Sequence, residues 1–358
     1  MKSLSQMLAP IREELIAWWE HGEQDRPLFH AVLPSPGRDE TCAPDTDDLE
    51  RYWYDVDLAV QRAMWEMEHS VYYGVALPCH MPALGSAAMC AALGAQMEYV
   101  DKRTMWAHPC CQTLDEVLEI TWDPNRRACH YLLEVTRRSA ALSHDHHYVA
   151  PFPLEGPADI LAGLYGTERL MMDMLTHPAA VQRALEHLKR IWIQAFNELQ
   201  AIIATGGNEG CIGWADIWAP GTTFPMQEDN AYMVSDAVFR QFYLPHIRDI
   251  VDAMDYAMWH LDGIASARSH LDTLLSIPKL RAIQWVPDPG REEIREWIPM
   301  IRHILDAGKS VEVFCRYDEV DALVNAVGPR GLLIGVREPT HEQMEQLLER
   351  YGQAVVGV

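Results

Sequence analysis

The residues with the clearest chemical potential close a short apolar run, YAMWHLD at positions 256–262. This run ends on His260 and Asp262, an imidazole and a carboxylate separated by one residue. Side chains two positions apart on a β-strand point to the same face, so both groups are expected to face one region. A histidine beside a carboxylate suits general acid–base catalysis or metal binding. The structural alternative is a buried, hydrogen-bonded pair that closes the strand.

Further reactive or aromatic side chains follow other strand-like runs. The run at 310–315 ends on Cys315, which is either a functional thiol or a small buried hydrophobe. Indole rings would supply apolar pocket walls with a single donor, and an aspartate in a loop is alternatively a turn residue. The candidates for substrate binding are His80, Trp214, Asp216, Trp218, Asp229 and Trp285.

The elements that must position these groups alternate along the chain. Eight short apolar runs predict strands, at residues 27–33, 72–78, 147–153, 210–217, 256–262, 280–286, 310–315 and 331–336. Amphipathic stretches lie between them, and the clearest helical spacing covers residues 179–203. Such alternation predicts an α/β chain with a parallel sheet, and eight units favour a (β/α)8 TIM barrel. An open doubly wound sheet is the competitor, but no glycine-rich phosphate loop follows the first strand.

The predicted organisation is a single domain over residues 1–358, with an N-terminal helix at 1–25 and the barrel at 27–358. The active site of such a barrel lies at the carboxyl ends of its strands. His260, Asp262 and Cys315 all fall at strand ends. The segments 93–146 and 218–235 are longer than a minimal connection, so they are predicted to insert extra helices or loops beside the site.

The charge of the chain limits its partners. There are 29 Lys and Arg against 52 Asp and Glu, a formal net charge of −23. This field repels nucleic-acid phosphates and anionic lipid headgroups, so neither is an expected partner. No signal-peptide core and no apolar stretch of membrane-spanning length stands in the sequence, and the eight cysteines do not suit a disulfide framework. A cytoplasmic location with reduced thiols is expected.

Long stretches of the chain resemble the uroporphyrinogen decarboxylase and corrinoid methyltransferase superfamily. The most specific stretch runs from VFRQFYLPHIRDIVD into MWHLDGIASARSHLDTLLSIPKLRAIQWVPDPG, and weaker ones are LPCHMPALGSAAMCAALGAQMEY and GPADILAGLYGTERLMMDMLTHPAAV. The resemblance begins near residue 50 and implies a TIM barrel that transforms a small molecule. The decarboxylases carry an N-terminal arginine-rich segment and a catalytic aspartate after the second strand. Here RPLFHAVLPSPGRDE and LPCHMPALG match neither, so decarboxylation of an octa-acid porphyrinogen is not expected.

The methyltransferases of that superfamily bind zinc through His-x-Cys and a distant cysteine, and move a methyl group from a corrinoid protein to a thiol. His260-Leu261-Asp262 with Cys315 resembles that arrangement, with a carboxylate in place of the middle thiolate. The resemblance therefore implies zinc held by His260, Asp262 and Cys315, and a corrinoid carried by a partner protein. Imidazole, carboxylate and thiolate are all accepted zinc ligands, and zinc would activate a substrate thiol.

Metal-assisted methyl transfer to a small-molecule substrate is thus the leading functional hypothesis. The second hypothesis is a metal-independent decarboxylase or lyase, in which Asp262 and His260 transfer protons and Cys315 only packs. The third is a non-catalytic barrel that binds a small molecule. The sequence leaves both a monomer and a homodimer open.

Overall fold

The computed structural model describes residues 2–353, in which strands and helices alternate. The strands are β1 (Leu28–Pro34), β2 (Ser70–Gly74), β3 (Cys79–His80), β4 (Gln96–Tyr99), β5 (Met105–His108), β6 (Tyr148–Val149), β7 (Cys211–Ile212), β8 (Trp218–Ala219), β9 (Thr223–Met226), β10 (Tyr256–Asp262), β11 (Leu280–Val286), β12 (Ser310–Cys315) and β13 (Leu332–Val336). The helices are α1 (Leu4–Leu8), α2 (Arg12–Trp19), α3 (Leu49–Tyr54), α4 (Val56–Glu68), α5 (Ala88–Leu93), α6 (Leu114–Leu118), α7 (Arg127–Ser143), α8 (Pro157–Tyr165), α9 (Thr167–Thr176), α10 (Pro178–Ala204), α11 (Asp236–Val238), α12 (Leu244–Asp252), α13 (Ile264–Leu275), α14 (Ile298–Asp306), α15 (Val320–Val327) and α16 (His341–Arg350). Short 3-10 or π turns cover Glu40–Cys42, Asp229–Met233, Phe239–Tyr243, Ile294–Glu296 and Tyr317–Glu319. The outermost residues of the predicted domain, 1 and 354–358, lie outside the described residues.

A seven-stranded sheet forms the centre of the molecule, in the order β2-β1-β13-β12-β11-β10-β9. Every neighbouring pair from β1 to β9 is parallel, and β2 runs antiparallel to β1 at the edge. Parallel neighbours need crossover connections, which α13, α14 and α15 supply between β10 and β13. The prediction of a mixed α/β chain is confirmed, and the predicted strands at 256–262, 280–286 and 310–315 have the predicted bounds.

The predicted eight-stranded barrel is observed only in part. Three two-stranded sheets stand apart from the large sheet: β3 with β6, β4 with β5, and β7 with β8. The ladders formed by residues 2–353 therefore do not close into one ring. A physical reason lies at Gly74, where φ is +64° and an added Cβ would lie 1.9 Å from Phe29 O. The chain turns there at close range to β1, so the strand predicted at 72–78 ends early.

The N-terminal segment closes one end of the sheet interior. The predicted single helix is two helices, α1 and α2, with Pro10 between them. The buried Trp18 and Trp19 pack in one apolar cluster with Met258 and Leu333 from β10 and β13. Because this end is filled, the side chains that can meet a substrate lie toward the opposite ends of the strands.

The two segments predicted as insertions reach that opposite end only in part. The β4–β5 hairpin and the turn Asp229–Met233 line a cavity there, whereas β8 packs with the N-terminal helices and β9 is a strand of the central sheet. The segment 93–146 contains the β4–β5 hairpin, α6 and α7, and the segment 218–235 contains β8, β9 and a helical turn. No helix within residues 2–353 is long and apolar enough to cross a membrane.

Candidate active site

A hydrogen-bonded chain of side chains crosses three neighbouring strands. The register places His260 of β10 beside Gln284 of β11, and Gln284 beside Glu312 of β12. His260 Nδ1 lies 2.6 Å from Gln284 Oε1, and Gln284 Nε2 donates to Glu312 Oε2 at 2.6 Å. Gln284 is 3% exposed and Glu312 is 0% exposed, whereas His260 is half-buried. The predicted site residue His260 is therefore anchored by two buried polar side chains.

The chain continues from Glu312 to β1. Glu312 Oε1 lies 3.0 Å from His30 Nε2. Gly335 makes room for this contact, since a Cβ there would lie 2.4 Å from the Phe314 ring and 2.9 Å from His30 Nε2. Burial lowers the pKa of His30, but the hydrogen bond and the charge of Glu312 outweigh burial and raise that pKa. The two groups thus form an ion pair inside the sheet, where an unpaired charge would be strongly unfavourable.

The charges of His30 and Glu312 also influence the pKa of Asp216. Its side chain is solvent-exposed, and its backbone φ is +58°, a left-handed conformation that aspartate tolerates better than most residues. Desolvation by the surrounding protein raises the pKa of Asp216 to about 6, against the lowering effect of His30 and with a further rise from Glu312. Asp216 therefore occupies a recessed but accessible position beside the His30–Glu312 pair.

Asp229 and Asp262 stand between His260 and an open cavity. Both carboxylates line a small enclosed pocket with His260 and also a neighbouring cavity of about 600 Å³. Burial raises the pKa of Asp229, while the charge of His260 lowers it and that of Asp262 raises it. Asp159 is a third carboxylate on the wall of the larger cavity, and no Lys or Arg of the described chain lines it. The structure thus brings together three predicted residues, His260, Asp262 and Asp229, at one acidic opening.

The loop that carries Asp229 is fixed by backbone contacts. The Asp159 carboxylate accepts hydrogen bonds from Asp229 N at 2.6 Å and from Asn230 N at 2.9 Å. Tyr243 OH donates to Asn230 Oδ1 at 2.6 Å. These bonds hold the Asp229 side chain at the opening although it stands on a connecting loop.

Behind the opening, Glu228 joins this loop to helix α8. Its Oε2 accepts hydrogen bonds from Ala158 N and Asp159 N, both at 3.1 Å, and its Oε1 lies 2.6 Å from His246 Nε2. Gly156 permits the approach, because a Cβ there would lie 2.3 Å from Glu228 Cδ. Burial raises the pKa of Glu228 to about 8 and lowers that of His246 to about 3. Both side chains are therefore neutral for the most part at neutral pH.

The predicted wall residue Trp214 does reach the site. Its ring meets the His260 ring edge-on, with centroids 5.1 Å apart. Its Nε1 donates to Pro225 O at 2.6 Å, which fixes the orientation of the indole. Trp214 therefore limits the space available to the imidazole.

Three other predicted substrate-binding residues lie elsewhere. His80 Nδ1 bonds to Ser139 Oγ of α7 at 2.8 Å, and burial lowers the pKa of His80 to about 3. Trp218 is fully buried in the cluster of the N-terminal helices. Trp285 follows Gln284 on β11, so the two side chains point to opposite faces of the sheet and Trp285 faces the helices. Its ring packs on that of Trp297, with centroids 4.8 Å apart. The structure therefore does not bring these three predicted residues together with His260, Asp262 and Asp229.

Cys315 also lies on the other face of the sheet. It alternates with Glu312 and Phe314 along β12 and packs in the apolar core together with Val311 and Val313. Burial raises the pKa of its thiol to about 12. The set of His260, Asp262 and Cys315 is therefore not assembled, and within residues 2–353 no three His, Cys, Asp or Glu side chains are arranged to hold a metal ion. These residues do not fit the zinc set that the sequence resemblance implied.

Sequence reasoning missed His30, Gln284, Glu312 and Glu228. Gln284 in LRAIQWV and Glu312 in SVEVFC did carry a signal, because each interrupts a strand that is otherwise mainly apolar. A polar residue inside a buried strand requires a partner. Matching the two interruptions across adjacent strands would have predicted the pair. His30 interrupts the apolar run PLFHAVL in the same way, whereas Glu228 gave no comparable pattern.

Comparison with known proteins supports the architecture. No protein-family model matches the sequence, and no curated protein matches it. Among solved structures, a methyltransferase from Methanosarcina mazei is similar, with a TM-score of 0.62 and 12% sequence identity over 98% of this chain and 99% of that chain. At this level of identity the similarity shows a common fold for the two chains.

Proposed function

We propose that this chain is an enzyme that transfers a methyl group to a small molecule at the opening beside His260, Asp229 and Asp262. The structural neighbour, a methyltransferase, and the sequence resemblance both support this reaction class. The observation that carries the proposal is the setting of His260. Its Nδ1 is occupied by Gln284, whereas its Nε2 has no hydrogen-bond partner in residues 2–353, and the charge of His260 acts on the pocket carboxylate Asp229. A nitrogen placed in this way can accept a proton from a nucleophile.

We also propose that the short strands complete a (β/α)8 barrel around this opening. Two backbone hydrogen bonds outside the regular ladders support closure. Val75 N donates to Phe29 O at 2.8 Å, and Tyr148 N donates to Pro78 O at 2.8 Å. The first continues the pairing with β1 beyond β2, and the second extends the β3–β6 pair to the residue before β3, so the stretch 70–80 has a backbone partner on each side. In a barrel, the site residues would gather at the carboxyl ends of the strands.

The proposed reaction requires a proton acceptor, because a thiol, amine or hydroxyl loses its proton when it gains a methyl group. His260 Nε2 takes this proton, and the nearby Asp229 and Asp262 carboxylates stabilise the resulting positive ring. The bond between the methyl carbon and its donor breaks as the bond to the nucleophile forms, and the electron pair stays with the donor. A methylated corrinoid on a partner protein, implied by the sequence resemblance, would supply the electrophilic methyl group.

The proposal uses no zinc, because Cys315 faces the helices and not His260. It also limits the charge of the substrate. Asp229 and Asp262 line the 600 Å³ cavity without a compensating Lys or Arg from the described residues, while burial raises the pKa of the third aspartate on its wall, Asp159, well above its usual range. An anionic substrate would be repelled, so a neutral or cationic nucleophile is favoured.

A metal-independent decarboxylase or lyase is the second candidate. The observation that favours it is Asp216, whose pKa of about 6 lies close to neutrality beside His30. Groups that titrate near the working pH are suited to proton transfer to and from carbon. In this case His260 and Asp262 would also exchange protons with the substrate.

Anaerobic incubation with methylcobalamin and a separate thiol, amine or alcohol tests the proposal. The spectrum of the cobalamin and the mass of the product report transfer. We expect transfer that depends on the nucleophile, and His260→Ala should slow it by about 10²- to 10⁴-fold. Cys315→Ala is the matched control, since its side chain is buried on the other face. Equal rates for wild type and His260→Ala would contradict the proposal.

The same preparations separate the other functions. Release of carbon dioxide from carboxylic substrates, or solvent deuterium exchange at carbon, would support the lyase if both depend on His260 and Asp262. Saturable ligand binding without turnover of any substrate would support a non-catalytic binding barrel.

A further inference from the structure

Contacts between side chains connect His260, Gln284, Glu312 and His30 in a row. Glu312 determines which atom donates and which accepts at each contact between Glu312 and His260. An ionised carboxylate only accepts hydrogen bonds. One of its oxygens accepts from Gln284 Nε2 at 2.6 Å, and the other lies 3.0 Å from His30 Nε2. With its amide nitrogen committed to Glu312, Gln284 can offer only its oxygen to His260. The hydrogen between Gln284 and His260 must therefore be carried by His260 Nδ1.

Burial enforces this direction. Gln284 is 3% exposed and Glu312 is 0% exposed, so solvent offers little compensation for a reversed amide. Reversal would place the Gln284 oxygen against a carboxylate oxygen at about the present 2.6 Å. Two acceptors at that distance in a region of low dielectric repel each other. His30 Nε2 faces the other Glu312 oxygen at 3.0 Å, and the pKa of His30 is raised by the hydrogen bond and the charge of Glu312, so a proton donor meets that oxygen as well.

We propose that Glu312, acting through Gln284, is a positioning residue that keeps His260 in the tautomer with hydrogen on Nδ1 and a free electron pair on Nε2. The inference rests on the proposed function only where it makes His260 the base. The tautomer itself is a property of the protein without substrate. It can therefore be measured whether or not methyl transfer is found.

Glu312→Gln is the decisive substitution. It preserves the size of the side chain, but a carboxamide has one donor side and one acceptor side. The row of hydrogen bonds can then run in either direction, with every partner satisfied. We expect the ¹⁵N spectrum of histidine-labelled wild-type protein to show His260 as the Nδ1–H tautomer alone. The Glu312→Gln spectrum should show a substantial Nε2–H population, and His260→Ala identifies the signal by its loss.

Two further variants complete the design. Glu349→Gln makes the same chemical change at an exposed position and should leave the His260 signal unchanged. Gln284→Met removes the oxygen that accepts from His260 Nδ1, so it should also produce an Nε2–H population of His260. This second variant keeps the proposal testable if Glu312→Gln fails to fold. Where turnover is measurable, each of these two substitutions should lower the rate by about two- to tenfold, the contribution of one neutral hydrogen bond.

An Nε2–H signal in the wild type would overturn the proposal. So would an unchanged tautomer in both the Glu312→Gln and the Gln284→Met proteins. An Nε2–H population in either variant of a protein that transfers no methyl group would uphold the positioning role and refute the proposed function. The two failures are therefore distinguishable.

Discussion

Glu228 couples the stability of the site to pH. Its ordinary pKa is 4.5, and burial raises that value to about 8 in the folded chain. Between these two values the folded chain holds a proton that the unfolded chain has lost, so stability is greatest below the unfolded pKa and falls as pH rises. Each pH unit in this window costs about 1.4 kcal/mol, and the interval from pH 6 to pH 8 costs about 2–3 kcal/mol.

Glu228→Gln should remove this dependence. A glutamine has the shape of a protonated glutamate, and its amide can donate toward His246 Nε2 while its oxygen accepts from Ala158 N and Asp159 N. At pH 6 we expect the free energies of unfolding of variant and wild type to differ by less than about 1 kcal/mol. At pH 8 the variant should have gained about 2–3 kcal/mol relative to wild type.

Urea unfolding followed by tryptophan fluorescence at pH 6 and pH 8 measures both differences. Glu349→Gln is the matched control, because Glu349 is exposed and should show no such change between the two pH values. If the difference between wild type and Glu228→Gln is the same at both pH values, Glu228 is ionised in the folded chain and the reasoning fails.

Three further predictions concern the network and the opening. Gly335→Ala should lower stability by about 1–3 kcal/mol, because its Cβ would meet the Phe314 ring at 2.4 Å and His30 at 2.9 Å; an unchanged melting temperature would contradict this. Asp229→Asn should raise the KM for a cationic nucleophile by up to about fivefold relative to a neutral one, and equal changes for both would argue against an electrostatic role. Cys315→Ala should retain full turnover, and a large loss would show that the thiol reaches the site.

The fold class could be predicted where strands are long and apolar. The runs at 256–262 and 280–286 became β10 and β11 with the predicted bounds, because a strand covered on both faces reads as a continuous apolar segment. The runs at 72–78 and 147–153 yielded only short strands. Their pairing depends on contacts between distant segments and on the backbone at Gly74, and neither is visible in hydrophobic periodicity.

The sequence could predict which side chains of the site share a face of a strand, because neighbouring residues of a strand point to opposite faces. Alternation places His260 and Asp262 on one face of β10, and the charges of both residues act on Asp229. The same rule, applied to the segment from Gln284 to Trp285 and to that from Glu312 to Cys315, would have placed the indole and the thiol on the opposite face from the polar side chains. The zinc assignment for Cys315 came from a resemblance of residue types, which carries no information about the face on which a side chain lies.

The carboxylates on the two sides of His260 have different roles, because their charged neighbours differ. Glu312 lies on the Nδ1 side, and Asp229 and Asp262 lie at the opening. Glu312 is already paired with His30, so it can direct the hydrogen bond to Nδ1 without attracting a second proton to the ring. Within residues 2–353, no Lys or Arg lines the cavity beside Asp229 and Asp262, so these carboxylates stabilise the ring when Nε2 gains a proton. Glu312→Gln should therefore change the tautomer of the neutral ring, whereas Asp229→Asn should mainly change the affinity for a cationic nucleophile. A single substitution that altered both properties equally would show that the two sides do not act separately.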